Sequence, residues 1–290
     1  MRTNIKLALG LALLLPAACG QVADAQPGSA QEATELERGE YVRGQRSGPW
    51  TFLWPSGKPR AEGAFEAGLA QGEWIFRGPG GAIHKRGRYS DGKAEGEWQR
   101  WDDPRKAPSE VGTYRAGVPH GTWLWQYTDG TKRAQCEFVE GVPQGAWARW
   151  TNHGVQIEEG AYHAGQESGA WTYWDLEGNK FEAGSLANGK RQGTWTTWWP
   201  GGEKRSEGSF ERGLETGTWT WWFESGQMSL RGDFEAGLET GEWTVWFESG
   251  EISDQGPQVA GKPHGEWQTR RSAADPLVGQ LYEQGLAPGK

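Results

Sequence analysis

The sequence predicts an all-β fold, an elongated single-layer antiparallel sheet of about ten tandem β-hairpin repeats. Three observations predict it. Gly-x-Trp recurs ten times at steps of 24 residues, with one step of 25. Each copy holds two strand-like runs divided by glycine turns, and no long glycine-free stretch shows a helical apolar stripe. A constant period of this size indicates a stacked array of one small unit. The tryptophans of the motif, here the anchor tryptophans, are Trp50, Trp74, Trp98, Trp123, Trp147, Trp171, Trp195, Trp219, Trp243 and Trp267.

The elements of one copy follow in a fixed order. The first run is aromatic and rich in threonine, as in residues 219–223, and such residues favour strands. A turn signal such as Ser225-Gly226 comes next, because glycine supplies the positive φ that tight turns need. The second run ends near an aromatic residue such as Phe234, and a Gly-x-x-x-Gly turn leads into the next copy. Each copy is therefore predicted to be a β-hairpin.

The ends of the array are marked by half copies. Gly39 and Tyr41 precede the first full copy, and Tyr282 and Gly285 follow the last anchor tryptophan. The predicted organisation is a signal peptide at 1–18, a lipidated cysteine and disordered tether at 19–38, the array at 39–285 and a short tail at 286–290.

The first residues predict export. Arg2 and Lys6 precede an apolar run, residues 7–15, that is too short to span a bilayer. Small residues then lead to Cys19, a pattern that resembles a bacterial lipobox, so Cys19 is the predicted lipidation site. Ordinary cleavage near Ala18 is the alternative. The predicted location is the outer membrane or cell surface, with the membrane contacted only through the lipid. Residues 20–38 are polar and predict a disordered tether.

The motif resembles the MORN repeat in its bacterial variant form. The shared residues are the Glu-Gly pairs Glu62-Gly63, Glu159-Gly160 and Glu207-Gly208 and the His-Gly pairs His120-Gly121 and His264-Gly265. The resemblance implies the hairpin array and a role as a binding or assembly module. Some bacterial members of that family are catalogued as antitoxin-like, and some eukaryotic members are linked to membrane lipids or dimerisation.

Several copies depart from the pattern. The third copy carries residues 102–108 in place of its short turn, which predicts a longer loop. Cys136 occupies a position where glycine is usual, and a buried, inert thiol is expected there. Leu186 and Gln258 replace the aromatic residue of the second strand, so a looser sheet is expected towards the C-terminal end.

Strand alternation divides the aromatic residues between two faces, because successive side chains point to opposite sides of a sheet. The residue three after an anchor faces away from it. Tryptophan fills that position six times, and these residues, here the ladder tryptophans, are Trp101, Trp150, Trp174, Trp198, Trp222 and Trp246. A single layer cannot bury both faces, so one set should stay exposed, and exposed aromatic surface marks partner sites. Packing and partner binding both remain open for the ladder, whereas packing is expected for the anchors.

Charge and motifs exclude several classes of function. The net charge is −8 and the basic residues are scattered, which argues against nucleic acid or anionic lipid as a partner. The chain holds no nucleophile elbow, phosphate loop or histidine–carboxylate metal spacing. We therefore expect no catalytic residue, metal or cofactor. The prediction is a non-catalytic envelope scaffold that binds another protein through an aromatic sheet face. The alternatives are a carbohydrate- or peptidoglycan-binding module and an antitoxin-like immunity protein.

Overall fold

The computed structural model describes residues 36–283, which form a single antiparallel sheet of 22 strands without a helix. The strands are β1 (Glu37–Val42), β2 (Gln45–Leu53), β3 (Pro59–Glu66), β4 (Leu69–Arg77), β5 (Ile83–Ser90), β6 (Lys93–Arg100), β7 (Glu110–Arg115), β8 (Val118–Gln126), β9 (Lys132–Val139), β10 (Val142–Trp150), β11 (Gln156–His163), β12 (Gln166–Trp174), β13 (Lys180–Ala187), β14 (Lys190–Trp198), β15 (Lys204–Glu211), β16 (Leu214–Trp222), β17 (Met228–Glu235), β18 (Leu238–Trp246), β19 (Ile252–Val259), β20 (Lys262–Pro263), β21 (Gly265–Thr269) and β22 (Val278–Tyr282). The predicted fold class is confirmed.

Each strand pairs with its neighbours along the chain, so the sheet is a continuous meander. The exception lies at the C-terminal end, where β20 and β21 both pair with β19 and His264 separates them. A looser sheet was expected towards the C-terminal end, and this break lies there, with His264 opposite Pro257, while Gln258 is paired with Pro263. Gln258 and Leu186 nevertheless stay buried, at 9% and 7% exposed.

Two kinds of turn alternate along the array. Entry into each Gly-x-Trp strand is a two-residue turn in which both residues have positive φ, as in Ala236 at 51° and Gly237 at 81°. That backbone is the type I′ turn whose twist matches a hairpin. Exit from the strand is a three-residue loop closed by Phe223 N–H donating to Gln227 O, with Gly226 at φ 83°. In the third copy the longer loop predicted over 102–108 joins β6 to β7.

The Gly-x-x-x-Gly segment, predicted to be one turn, has two separate roles. Its first glycine completes the type I′ turn, and its second lies inside the next strand. Gly217, at φ 64°, creates a bulge there, since the register of β15 with β16 shifts between Glu207 and Ser209. The bulge turns the Trp219 indole back over Gly208 of the preceding strand, where a Cβ atom would collide with the ring.

The core lies on one face of the sheet, here the anchor face. The rings of successive copies pack on one another there: Trp50 stacks on Phe52 at 6.0 Å between centroids, and Phe52 stacks on Trp74 at 6.1 Å. Phe65 meets Trp74 edge-on at 5.1 Å. Offset stacking and edge-on contacts are the favoured arrangements of aromatic rings. This herringbone lets one layer bury its own aromatic side chains: nine of the ten anchor tryptophans are buried, and Trp267 in the last copy is half-exposed.

The predicted signal peptide, Cys19, most of the tether and the tail at 286–290 lie outside the described residues. Within residues 36–283 no helix is long and apolar enough to cross a membrane.

Candidate interaction surface

The ladder tryptophans lie on the opposite side of the sheet, here the ladder face. All six are half-exposed, in contrast to the anchors. Five of them end the strands β10, β12, β14, β16 and β18, and Trp101 follows directly after β6. The residue opposite each is part of the same row: Trp198 pairs with Lys204 and Trp174 with Lys180. The ladder therefore crosses successive strands at the ends where they join the three-residue loops.

Cations cover part of this ladder. Lys180 Nζ lies 3.9 Å from the ring centroid of Trp198. Lys132 lies 5.5 Å from Trp150 and Lys204 lies 5.9 Å from Trp222, while the Arg86 guanidinium lies 5.4 Å from Trp101. These are cation–π distances. In the described part of the chain the ladder rings do not stack on one another, so each remains a separate half-exposed surface.

Three aromatic residues next to the three-residue loops form hydrogen bonds to the neighbouring copy. The sequence analysis did not predict these bonds. Trp54 Nε1 donates to Arg77 O at 3.1 Å, and Trp199 Nε1 donates to Trp222 O at the same distance. The Tyr127 hydroxyl donates to Trp150 O at 3.0 Å. Each donor stands 23 residues before its acceptor. The available signal in the sequence was a tryptophan or tyrosine four residues after an anchor tryptophan.

Cys136 changes the packing at the centre of the array. In five copies the anchor indole donates to the carbonyl after the glycine beneath it, as Trp123 Nε1 does to Thr113 O at 3.1 Å. The corresponding acceptor for Trp147 is Glu137 O, which instead accepts from Cys136 Sγ at 3.5 Å. Cys136 is 2% exposed and outside any disulfide. The buried thiol expected from the sequence is present, and the Trp147 indole makes no hydrogen bond to this carbonyl, as is also the case for the indoles of Trp74 and Trp171 and their equivalent carbonyls.

A buried carboxylate lies beside this altered copy. Glu158 is 0% exposed, and its Oε2 accepts from Arg149 Nε at 2.6 Å. Burial raises the pKa of Glu158, and Arg149 opposes that rise, as does the indole of Trp147 to a lesser extent. Burial likewise raises the pKa of Glu182, against the effect of Arg191. Both carboxylates lie on the anchor face opposite Tyr173, because each stands two residues before the glycine over which an anchor indole packs.

No group of histidine, cysteine, aspartate or glutamate side chains within residues 36–283 is arranged to hold a metal ion. The surface thus consists of aromatic rings, lysines and small polar residues. Such a surface can recognise shape, apolar area and charge.

No family model and no curated protein matches this chain. Solved structures of toxin complexes resemble it weakly. A TcdB2-TccC3 crystal structure matches at 10% identity over 82% of this chain and 17% of that chain, with a TM-score of 0.19. A TcdB2-TccC3-Cdc42 crystal structure matches at 9% identity over 81% of this chain and 14% of that chain, with a TM-score of 0.18. The chain thus spans less than a fifth of either, and scores this low support no statement on fold or function.

Proposed function

We propose that the array is a non-catalytic scaffold that holds another protein against its ladder face. The observation that carries the proposal is the difference between two tryptophan sets of equal spacing. The anchors, apart from Trp267, are between 1% and 7% exposed, whereas every ladder tryptophan is half-exposed. Aromatic rings that packing does not cover are typical of the centres of protein interfaces.

The lysines on the ladder favour a protein partner over a glycan. Stacking on a sugar uses an open ring face, and Lys180 already lies 3.9 Å above one face of Trp198. Lys132 and Lys204 lie above Trp150 and Trp222 in the same manner. Aromatic residues are enriched at protein–protein interfaces, whose rim is polar.

The location in this proposal rests on the sequence alone. The lipobox-like segment before Cys19 supports export and a lipid anchor, and residues 20–38 supply a tether between that anchor and the sheet. The partner would accordingly be another protein of the cell envelope.

An affinity capture tests the proposal. The bait is the chain from residue 20 onward, exposed to the native envelope extract, and a retained protein is then purified and its binding measured directly. The test variant changes Trp150, Trp174, Trp198, Trp222 and Trp246 to Ser. The matched control changes five other exposed apolar residues of the sheet, also spaced along the array, to Ser: Leu69, Val118, Val142, Leu214 and Leu238. Circular dichroism first establishes that all baits are folded.

One protein retained by the unmodified and control baits, and lost from the ladder variant, is the expected result. Equal retention by all three baits would place the binding surface elsewhere on the sheet. If no protein is retained but peptidoglycan fragments quench the tryptophan fluorescence, the protein-scaffold proposal fails in favour of a glycan.

A further inference from the structure

The ladder is not uniform along its length. In its middle, Trp174 and Trp198 lie opposite Lys180 and Lys204. In the next two copies the opposite residues are apolar, since Trp222 pairs with Met228 and Trp246 pairs with Ile252. Trp222, Met228, Trp246 and Ile252 therefore form a row across the four consecutive strands β16 to β19. Neighbouring strands are about 4.8 Å apart, so the row spans roughly 14 Å. None of its four members is charged, and Lys204 approaches only its Trp222 end, at 5.9 Å from the ring centroid.

Aromatic residues also lie on the anchor face at the same ends of these strands. Phe223 and Phe247 directly follow Trp222 and Trp246, and both are half-exposed. By strand alternation they face the opposite side. We call these six half-exposed residues the distal patch: Trp222, Phe223, Met228, Trp246, Phe247 and Ile252.

The loops that border the distal patch are anionic. Glu224, Glu248 and Glu251 are exposed, and none of them forms a salt bridge in the described structure. A hydrogen bond from Ser249 lowers the pKa of Glu251, so this carboxylate is ionised at neutral pH. Among nearby cations, Lys204 pairs with Glu207 at 2.7 Å, and Arg270 donates to backbone carbonyls while its charge also lowers the pKa of Glu251.

We propose that the protein partner is anchored at the distal patch and that it presents a basic segment there. This inference rests on the proposed function. Its apolar side chains would lie against Trp222, Met228 and Trp246, and its Arg or Lys side chains would meet the three loop carboxylates. Charge complementarity selects this occupant: the apolar area calls for apolar side chains, and the exposed loop carboxylates, which form no salt bridge in the described structure, call for cations. The adaptable thioether of Met228 suits a surface that accommodates varied apolar side chains.

Three synthetic 12-residue peptides test this proposal by fluorescence anisotropy with the purified full-length chain. The first alternates Lys or Arg with Leu or Phe, the second has Glu in place of its basic residues, and the third has Ser in place of its apolar residues. We expect the first peptide to bind at least tenfold more tightly than either of the others. A Trp222→Ser, Trp246→Ser variant should lose at least tenfold in affinity for it.

A matched variant, Trp150→Ser, Trp174→Ser, removes two ladder tryptophans of the lysine-lined part and should change the affinity by less than twofold. A Glu224→Gln, Glu248→Gln, Glu251→Gln variant should lose three- to tenfold and show a weaker salt dependence. Equal losses from the two tryptophan variants, no preference for the basic peptide, or no binding at all would each overturn the proposal.

These failures differ from a failure of the proposed function. An envelope protein captured through Trp150 and Trp174, and indifferent to Trp222 and Trp246, would uphold the scaffold and reject the distal patch. Loss of all protein capture would reject both.

Discussion

The indole of Trp219 lies on the backbone of Gly208, in the space that a Cβ atom on this residue would occupy. The same relationship joins Trp74 to Gly63 and Trp243 to Gly232. Each anchor thus packs on the copy before it and covers the strand junction between two copies. Glycine is needed at Gly208, two residues before the second-strand aromatic residue, so that the ring can approach closely. A left-handed backbone is not the reason, because the φ of this residue is not positive.

Gly208→Ala should destabilise the array, because the new methyl group must displace the Trp219 ring. Overpacking of this kind costs about 1–3 kcal/mol. Urea unfolding, followed by circular dichroism, measures the loss. Gly80→Ala is the matched control, since nothing lies within 4 Å of a Cβ there and its φ is not positive. A Gly208→Ala midpoint equal to that of Gly80→Ala would contradict the packing described.

Trp171 and Trp174 belong to one strand but lie on opposite faces. Trp171 is 1% exposed, and Trp171→Ala should cost about 3–5 kcal/mol, as expected for a buried aromatic residue. Trp174→Ala removes a half-exposed ladder side chain and should cost about 1 kcal/mol or less. Thermal unfolding of the two variants decides the point, and similar losses of stability would show that both faces are packed alike.

Arg149→Ala should destabilise the chain in a pH-dependent manner. It leaves Glu158 buried without its cation, which we expect to cost about 2–3 kcal/mol at pH 7. This is less than the 3–5 kcal/mol of a fully buried pair because the Arg149 side chain is 35% exposed. Burial holds the pKa of Glu158 above its ordinary 4.5, and loss of Arg149 raises it further. A carboxyl group with a raised pKa favours the folded state at low pH and ceases to do so as pH rises above 4.5.

The stability lost in Arg149→Ala should accordingly be smaller near pH 4 than at pH 7 in urea titrations. Arg149→Met combined with Glu158→Leu removes both charges and should recover most of the loss at pH 7. A loss that is independent of pH would mean that Arg149 acts through packing alone.

The type I′ turns offer a reciprocal pair of substitutions. Ala164 adopts φ 48° and Asn188 adopts φ 52° at equivalent turn positions. Asparagine tolerates the left-handed region better than alanine does. Ala164→Asn should therefore raise the free energy of unfolding by about 0.5–1 kcal/mol, and Asn188→Ala should lower it by a similar amount. Differential scanning calorimetry checks both, and changes of the same sign would refute the turn assignment.

The repeat fold could be predicted because its determinants are local and recur. Gly226 signals a turn within its own copy, and Trp219 and Trp222 differ in face by strand alternation alone. The glycine bulge was missed, since Gly217 looks like any turn glycine until its register with Glu207 and Ser209 is known.

The candidate site was predicted only in part, because its character depends on residues from different copies. The ladder positions follow from spacing, but the Lys180–Trp198 contact joins two hairpins, as does the bond from Trp199 to Trp222 O. The ion pair of Arg149 with Glu158 likewise needs two strands in register. Such pairs become visible only after the bulges have fixed the alignment of neighbouring strands.

The contact of Trp219 with Gly208 has a consequence for the evolution of the chain. Deletion of residues 217–240 would bring Trp243 onto Gly208 and restore an equivalent tryptophan–glycine contact. Duplication of the same segment would add one further contact of this kind. The last described strand is different, since Gln280 lies opposite Trp267, whereas Gly256 lies opposite Trp243. Length is therefore a trait that internal gain or loss of copies can change in steps of about 10 Å.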